Sequence, residues 1–157
     1  MVLKEHATKT AALPGLRLSP VNEYRMSISI GSFYYRKEVS FTSIASNDNA
    51  FRIFIDAANF AAKHEWKKKT TRAARKAYDA AFKNGLICRE LGLFIRASAY
   101  FNQAKGVSEK YLGNRLNEQA NFASEDSTLS YAAKLALTNM RREEGEARMA
   151  EAFRANV

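Results

Sequence analysis

Residues Met26–Ile44 read MSISIGSFYYRKEVSFTSI, the one stretch whose apolar side chains fall at alternate positions. Met26, Ile28 and Ile30 alternate with serines, and Val39 and Phe41 resume the pattern before Ile44. A period of two is the mark of a strand with one buried face. A β-hairpin is therefore expected here, its turn at Ile30–Ser32 or at Tyr35–Glu38. A two-stranded hairpin is marginal alone in water, so it has to rest on helices or pair with another chain.

Outward from that segment the pattern turns helical. Both prolines, Pro14 and Pro20, precede it, and everything after it is free of the residue that breaks helices outright. The polar cluster Ser46–Asn49 suits a helix start, and Phe51, Phe54, Ile55, Ala58 and Ala62 follow at helical spacing. This predicts a helix over about 48–65 that continues through Thr70 and Thr71 or kinks there. Asn84 and Gly85 would close it with a left-handed cap. A third helix is expected over Leu86–Gln103, with Leu91, Phe94 and Ile95 buried and an end at Gly106. Ser108 opens a short fourth helix, and Ser124–Ser127 cap a last one reaching about Arg154.

The expected fold class is mainly α, an N-terminal β-hairpin followed by a bundle of four to five helices. Residues 26–157 would form one domain behind a flexible extension, residues 1–25. Apolar residues make up 46% of the chain, with ten Phe, seven Tyr and one Trp, which is enough bulk for a core without metal or disulfide staples. No internal repeat of 20–50 residues is apparent. Cys88 is the only cysteine, which rules out an internal disulfide and suggests a reducing, cytoplasmic setting. No apolar run approaches the roughly 18–20 residues that cross a bilayer, so no membrane partner is expected.

The net charge is +9, and its location matters more than its total. Residues 63–83 hold eight basic and two acidic groups, two thirds of the excess. Counted at about 100° per residue, Lys68, Lys69, Arg72, Arg75, Lys76 and Lys83 share an arc of about 120°. Trp66, Ala73, Ala77, Ala80 and Ala81 lie opposite, a face suited to close helix packing. Cations repeated along a rigid rod match a phosphate backbone, whose counterions each contact releases. The functional expectation is a non-enzymatic protein that contacts DNA or RNA phosphates through this helix. The alternative is a protein-interaction module that docks an acidic or β-edge partner.

Other constellations are weaker. Residues 98–117 could form a helix-turn-helix about Gly106, but Asn102, Lys105 and Arg115 break its pattern. Phe33, Tyr34, Tyr35 and Phe41, with Arg36 and Lys37 beside them, could stack on unpaired bases. Catalysis lacks its usual residues: His6 lies in the extension, His64 sits beside Glu65, and Cys88 lies in an apolar run. No phosphate-cradling glycine loop or His-Glu metal motif is present, so no cofactor, metal or enzymatic activity is expected.

Overall fold

The computed structural model describes residues 18–156. Five helices account for nearly all of them: α1 Pro20–Tyr34, α2 Phe41–Lys63, α3 Lys67–Glu90, α4 Phe94–Tyr111 and α5 Asn117–Ala155. The expected mainly helical bundle is present, and the expected β-hairpin is not: among the described residues there is no strand. Of the expected N-terminal extension, residues 1–17 lie outside the described residues, and Pro20–Arg25 belong to α1.

The hairpin reading failed because the buried stripe of α1 is not purely apolar. Tyr24, Ser27 and Gly31 are buried, with Ile28, Tyr34 and Tyr35 packed partly against the core. These positions recur at three and four residues, the spacing of a helix face. Ser27 satisfies its own hydroxyl by donating to the Glu23 carbonyl at 2.8 Å, so a serine can be buried inside the helix. Ser19 caps α1 through the Asn22 amide at 3.3 Å, with Pro20 at the first helical position, where proline is favourable. Ser40 caps α2 in the same way through the Ser43 amide at 3.1 Å.

The polar cluster Ser46–Asn49 therefore lies inside α2 rather than before it, and its side chains bind other segments. Asn47, fully buried, accepts from the Arg36 amide at 2.6 Å and donates to the Arg36 carbonyl at 2.9 Å, fixing the α1–α2 connection. Ser46 donates to the Tyr34 carbonyl. Asp48 accepts from Asn84 and Tyr100, each at 3.1 Å.

The remaining boundaries shift for related reasons. α3 runs through Gly85 and ends in a Schellman motif at Gly92 (φ 73°), where Leu93 donates to the Cys88 carbonyl at 2.8 Å and Gly92 to the Arg89 carbonyl at 3.0 Å. That turn resets the helical phase at Phe94. Leu91 and Phe94 are consequently only half-buried, and Ile95 is 59% exposed. Phe101, fully buried, is the core aromatic of α4. α4 continues past Gly106, so residues 98–117 hold no helix-turn-helix. A Cβ at Gly106 would meet nothing within 4 Å. Gly106→Ala should therefore raise stability by about 0.8–1 kcal/mol, the helix propensity difference. Chemical denaturation measures this, and a loss of stability would put a break at Gly106.

Successive helices pack on one another, up and down. α1 runs parallel to α3, since the Tyr24 hydroxyl donates to the Lys69 carbonyl at 2.7 Å and Tyr35, further along, feels the charge of Asp79. α2 runs parallel to α4, with Asp48 bound to Tyr100 and Asn59 to Tyr111. The α2–α3 contact is a seam of alanines: Ala50, Ala57, Ala58, Ala61, Ala73, Ala77, Ala80 and Ala81 are at most 1% exposed. Small side chains let two backbones approach closely, so this face of α3 faces inward as its sequence suggests.

The hairpins α1–α2 and α3–α4 repeat one set of contacts. A Cβ placed on Gly31 would lie 2.5 Å from the Phe54 ring, and one on Gly85 2.5 Å from the Phe101 ring. Tyr78 donates to the Leu116 carbonyl at 3.4 Å, as Tyr24 does to Lys69. Tyr24 precedes Gly31 by the interval that separates Tyr78 from Gly85, and Phe54 precedes Lys69 as Phe101 precedes Leu116. The intervals from glycine to phenylalanine differ, which hides the repeat from a fixed-period search of the sequence.

Candidate functional site

The six cations read from the sequence all lie on α3, but the fold divides them. Lys68 and Arg72 are exposed. Arg75 is exposed as well, yet its Nε sits 3.2 Å from Asp79 Oδ1 and its guanidinium 5.7 Å from the Tyr78 ring centre. Lys69 is half-buried with its Nζ 5.2 Å from the Trp66 ring, and Lys76 is half-buried with its Nζ 5.7 Å from the Phe54 ring. Lys83 is half-buried. Long cationic side chains lay their stems along neighbouring apolar surface, which an angular count on one helix does not see.

The structure adds Lys67, exposed and first in α3, to the cations that the sequence singled out. Lys67, Lys68 and Lys69 occupy the first turn of α3, whose N-cap, Trp66, supplies no side-chain hydrogen bond and whose first turn holds no acid. This inverts the ordinary preference, because the helix dipole places partial positive charge at that end.

Beside this end, the α2–α3 turn gathers aromatic rings. His64 stacks on Trp66 at 4.6 Å and 18° between planes, and Phe60 approaches His64 at 4.6 Å. The backbone turns sharply at Glu65, whose φ of 57° is rare for a residue with a side chain. Tyr24 meets the edge of Trp66 at 6.4 Å and anchors the first turn of α3 through its bond to Lys69. Burial pushes the Tyr24 phenol above its ordinary pKa, with the Arg72 charge opposing.

At the far end of the helices a second polar cluster forms around Asp48. Asn84 Nδ2 donates to Asp48 and to the Ile44 carbonyl, each at 3.1 Å, while Asn84 Oδ1 is buried with no hydrogen-bond partner among the described residues. Tyr100 is pushed up to about 12, first by burial and then by the charge of Asp48 and the hydrogen bond to it. Burial likewise raises the Cys88 thiol. His64 precedes α3 and Cys88 lies near its far end, with Lys67 to Cys88 alone spanning about 32 Å at 1.5 Å per residue, so the fold does not pair them.

Phe33, Tyr34, Tyr35 and Phe41 form no strand platform. Phe33 and Phe41 are exposed at either side of the α1–α2 connection, with Arg36 over the Phe33 ring at 5.6 Å; Tyr34 and Tyr35 are half-buried. Among the described residues, no three His, Cys, Asp or Glu side chains converge as a metal site, and no helix is long and apolar enough to cross a membrane. Comparison of the chain with protein-family profiles, curated proteins and solved structures gives no match.

Proposed function

We propose that the protein binds nucleic acid through its phosphate backbone, at the N-terminal half of α3. One observation supports this reading above the others: Lys67, Lys68 and Lys69 crowd an uncapped helix N-terminus, with Arg72 one turn on. Cations gathered where the dipole already disfavours them repel one another, and an anion relieves both terms at once. Amide groups at a helix N-terminus and Arg or Lys side chains are the usual donors to phosphate oxygens. His64, exposed and stacked on Trp66, adds an aromatic surface suited to a neighbouring base or sugar. Contacts of this kind hold any sequence alike.

The test is a salt titration of binding to duplex DNA, single-stranded DNA and RNA, repeated with Lys67, Lys68 and Arg72 all changed to Gln. The variant should bind more weakly to every sequence, and its log-log salt dependence should flatten by about 0.9 for each duplex phosphate no longer neutralised. Circular dichroism should be unchanged, because exposed charges contribute little to folding. Equal affinity and equal salt slope in parent and variant would place binding elsewhere. The second reading, a protein-interaction module, is favoured by a different feature, the exposed Leu129, Leu135, Leu137 and Met140 of α5.

A further inference from the structure

We infer, resting on the phosphate-binding reading above, that the nucleic acid held at α3 is an unpaired strand, one of whose bases stacks on the outer face of His64. α3 is walled in along most of its length. Its alanine face is closed by α2, Phe82 and Cys88 pack toward Phe101 of α4, and the Tyr24 hydroxyl of α1 reaches the Lys69 carbonyl. On the α5 side, Tyr78 bonds to the Leu116 carbonyl and Arg89 pairs with Asp126. After Arg75, no residue of α3 is exposed until Glu90. A helix that reads duplex DNA lies in a major groove about 12 Å wide, which a helix about 10–12 Å across fills alone. α3, with neighbours on its flanks, cannot enter one.

What stays open is the start of the helix, where Lys67, Lys68, Thr71, Arg72 and Arg75 are exposed along about 12 Å of axis at 1.5 Å per residue. With Lys63, the exposed last residue of α2, residues 63–72 carry five cations against Glu65. Such a patch can follow a sugar-phosphate backbone but reaches no paired base edge. Any contact with a base has to come from a flat surface beside it.

His64 is that surface. Its ring stacks on Trp66 at 4.6 Å with 18° between planes, and Phe60 lies 4.6 Å away at 57°. Phe60 and Trp66 are 6.0 Å apart, well short of twice the stacking distance, so Phe60 stands at the side of the imidazole and not across it from Trp66. The face of His64 turned away from Trp66 meets no other ring among the described residues, and the side chain is exposed. Beneath it, Trp66 is held by the edge of Tyr24 at 6.4 Å and by Lys69, whose Nζ lies 5.2 Å from its ring. The imidazole is thus oriented before a ligand arrives, and little ordering is lost on binding. A base inside a duplex has both faces covered by its neighbours, whereas an unpaired base has a face to give. Only Glu65 and Trp66 separate His64 from Lys67, so a strand whose phosphates meet the cations brings a base to the ring. An acidic polypeptide would satisfy the same cations and leave the ring unused.

The test measures affinity of the full chain, at one salt concentration, for a short oligothymidylate, an abasic strand of the same length, a duplex of that length and polyglutamate. The parent should bind the oligothymidylate most tightly. His64→Ala should weaken that binding by about tenfold or more, the effect of losing one base–aromatic stack, and should leave the abasic strand and the duplex unchanged. His64→Phe, which keeps a flat ring without a charge, should restore most of the loss, and circular dichroism should be the same for all three chains. Changing Lys67, Lys68 and Arg72 together to Gln should weaken binding of every nucleic-acid probe. If that triple variant does so, three results overturn the unpaired strand while the phosphate reading stands: oligothymidylate binding no tighter than duplex or abasic strand, His64→Ala binding it like the parent, or a loss that His64→Phe does not restore. Nucleic-acid binding that is no tighter than binding to polyglutamate, or that the triple variant leaves intact, removes the phosphate reading and the unpaired strand with it.

Discussion

Replacing Phe101 with Ala should destabilise the protein by about 3–5 kcal/mol, the ordinary cost of emptying a fully buried aromatic site. The ring is held between Gly85 and Phe82, and the partner that can shrink no further is the glycine. Gly85→Ala should also destabilise. Its Cβ would sit 2.5 Å from Phe101 Cε1, and overpacking of about 1–3 kcal/mol outweighs a helix propensity gain of about 1 kcal/mol. The sign should then invert: in the Phe101→Ala background the obstructing ring is gone, and Gly85→Ala should stabilise. A double-mutant cycle by urea denaturation measures this coupling. Additive effects would mean that Gly85 does not serve to admit the ring.

How much of this the sequence showed depends on what each residue type does alone. Helical content followed from good helix formers and from the absence of proline after Pro20. The alanine face of α3 was legible because a stripe of small apolar residues has few other uses. Polar residues misled. Ser27, Asn47 and Asn84 are buried inside helices, Ser27 bonded to the carbonyl one turn back and the two asparagines to distant partners that no local pattern encodes. Read locally, serines and asparagines mean caps and turns, and alternating serines mean a strand.

The basic stripe was legible as a face of one helix, and only the fold shows which of its cations are open. Lys69 and Lys76 lie over rings from other segments, and Arg75 is tied to Asp79. Lys67 falls outside the arc counted from Lys68, although the helix starts at it. Trp66, placed by periodicity on the apolar face of a continuous helix, is the residue before α3, because the turn at Glu65 separates α2 from α3.

The fully buried Asn84 provides the sharpest test of the core's polar wiring. Its amide donates to two acceptors, the Ile44 carbonyl and the Asp48 carboxylate, and so ties α3 to α2. Asn84→Asp removes both donors and brings a second carboxylate against Asp48, in a site that already raises the Tyr100 phenol. Like charges and burial both raise the new carboxyl's pKa in the folded state above its unfolded value near 3.9. Its penalty is therefore small below that value, grows as pH rises through the folded pKa, and is fully present above it. Near pH 7 the loss should reach about 3–5 kcal/mol, the cost of an uncompensated buried charge. Around pH 4 it should fall toward about 1 kcal/mol, because a protonated acid can replace one of the two missing donors. Adding Asp48→Asn restores an amide beside a carboxylate and should recover most of the loss at pH 7. Urea midpoints across that pH range measure all three chains. A loss independent of pH, or one that Asp48→Asn leaves untouched, would mean that volume and not charge sets the identity of residue 84.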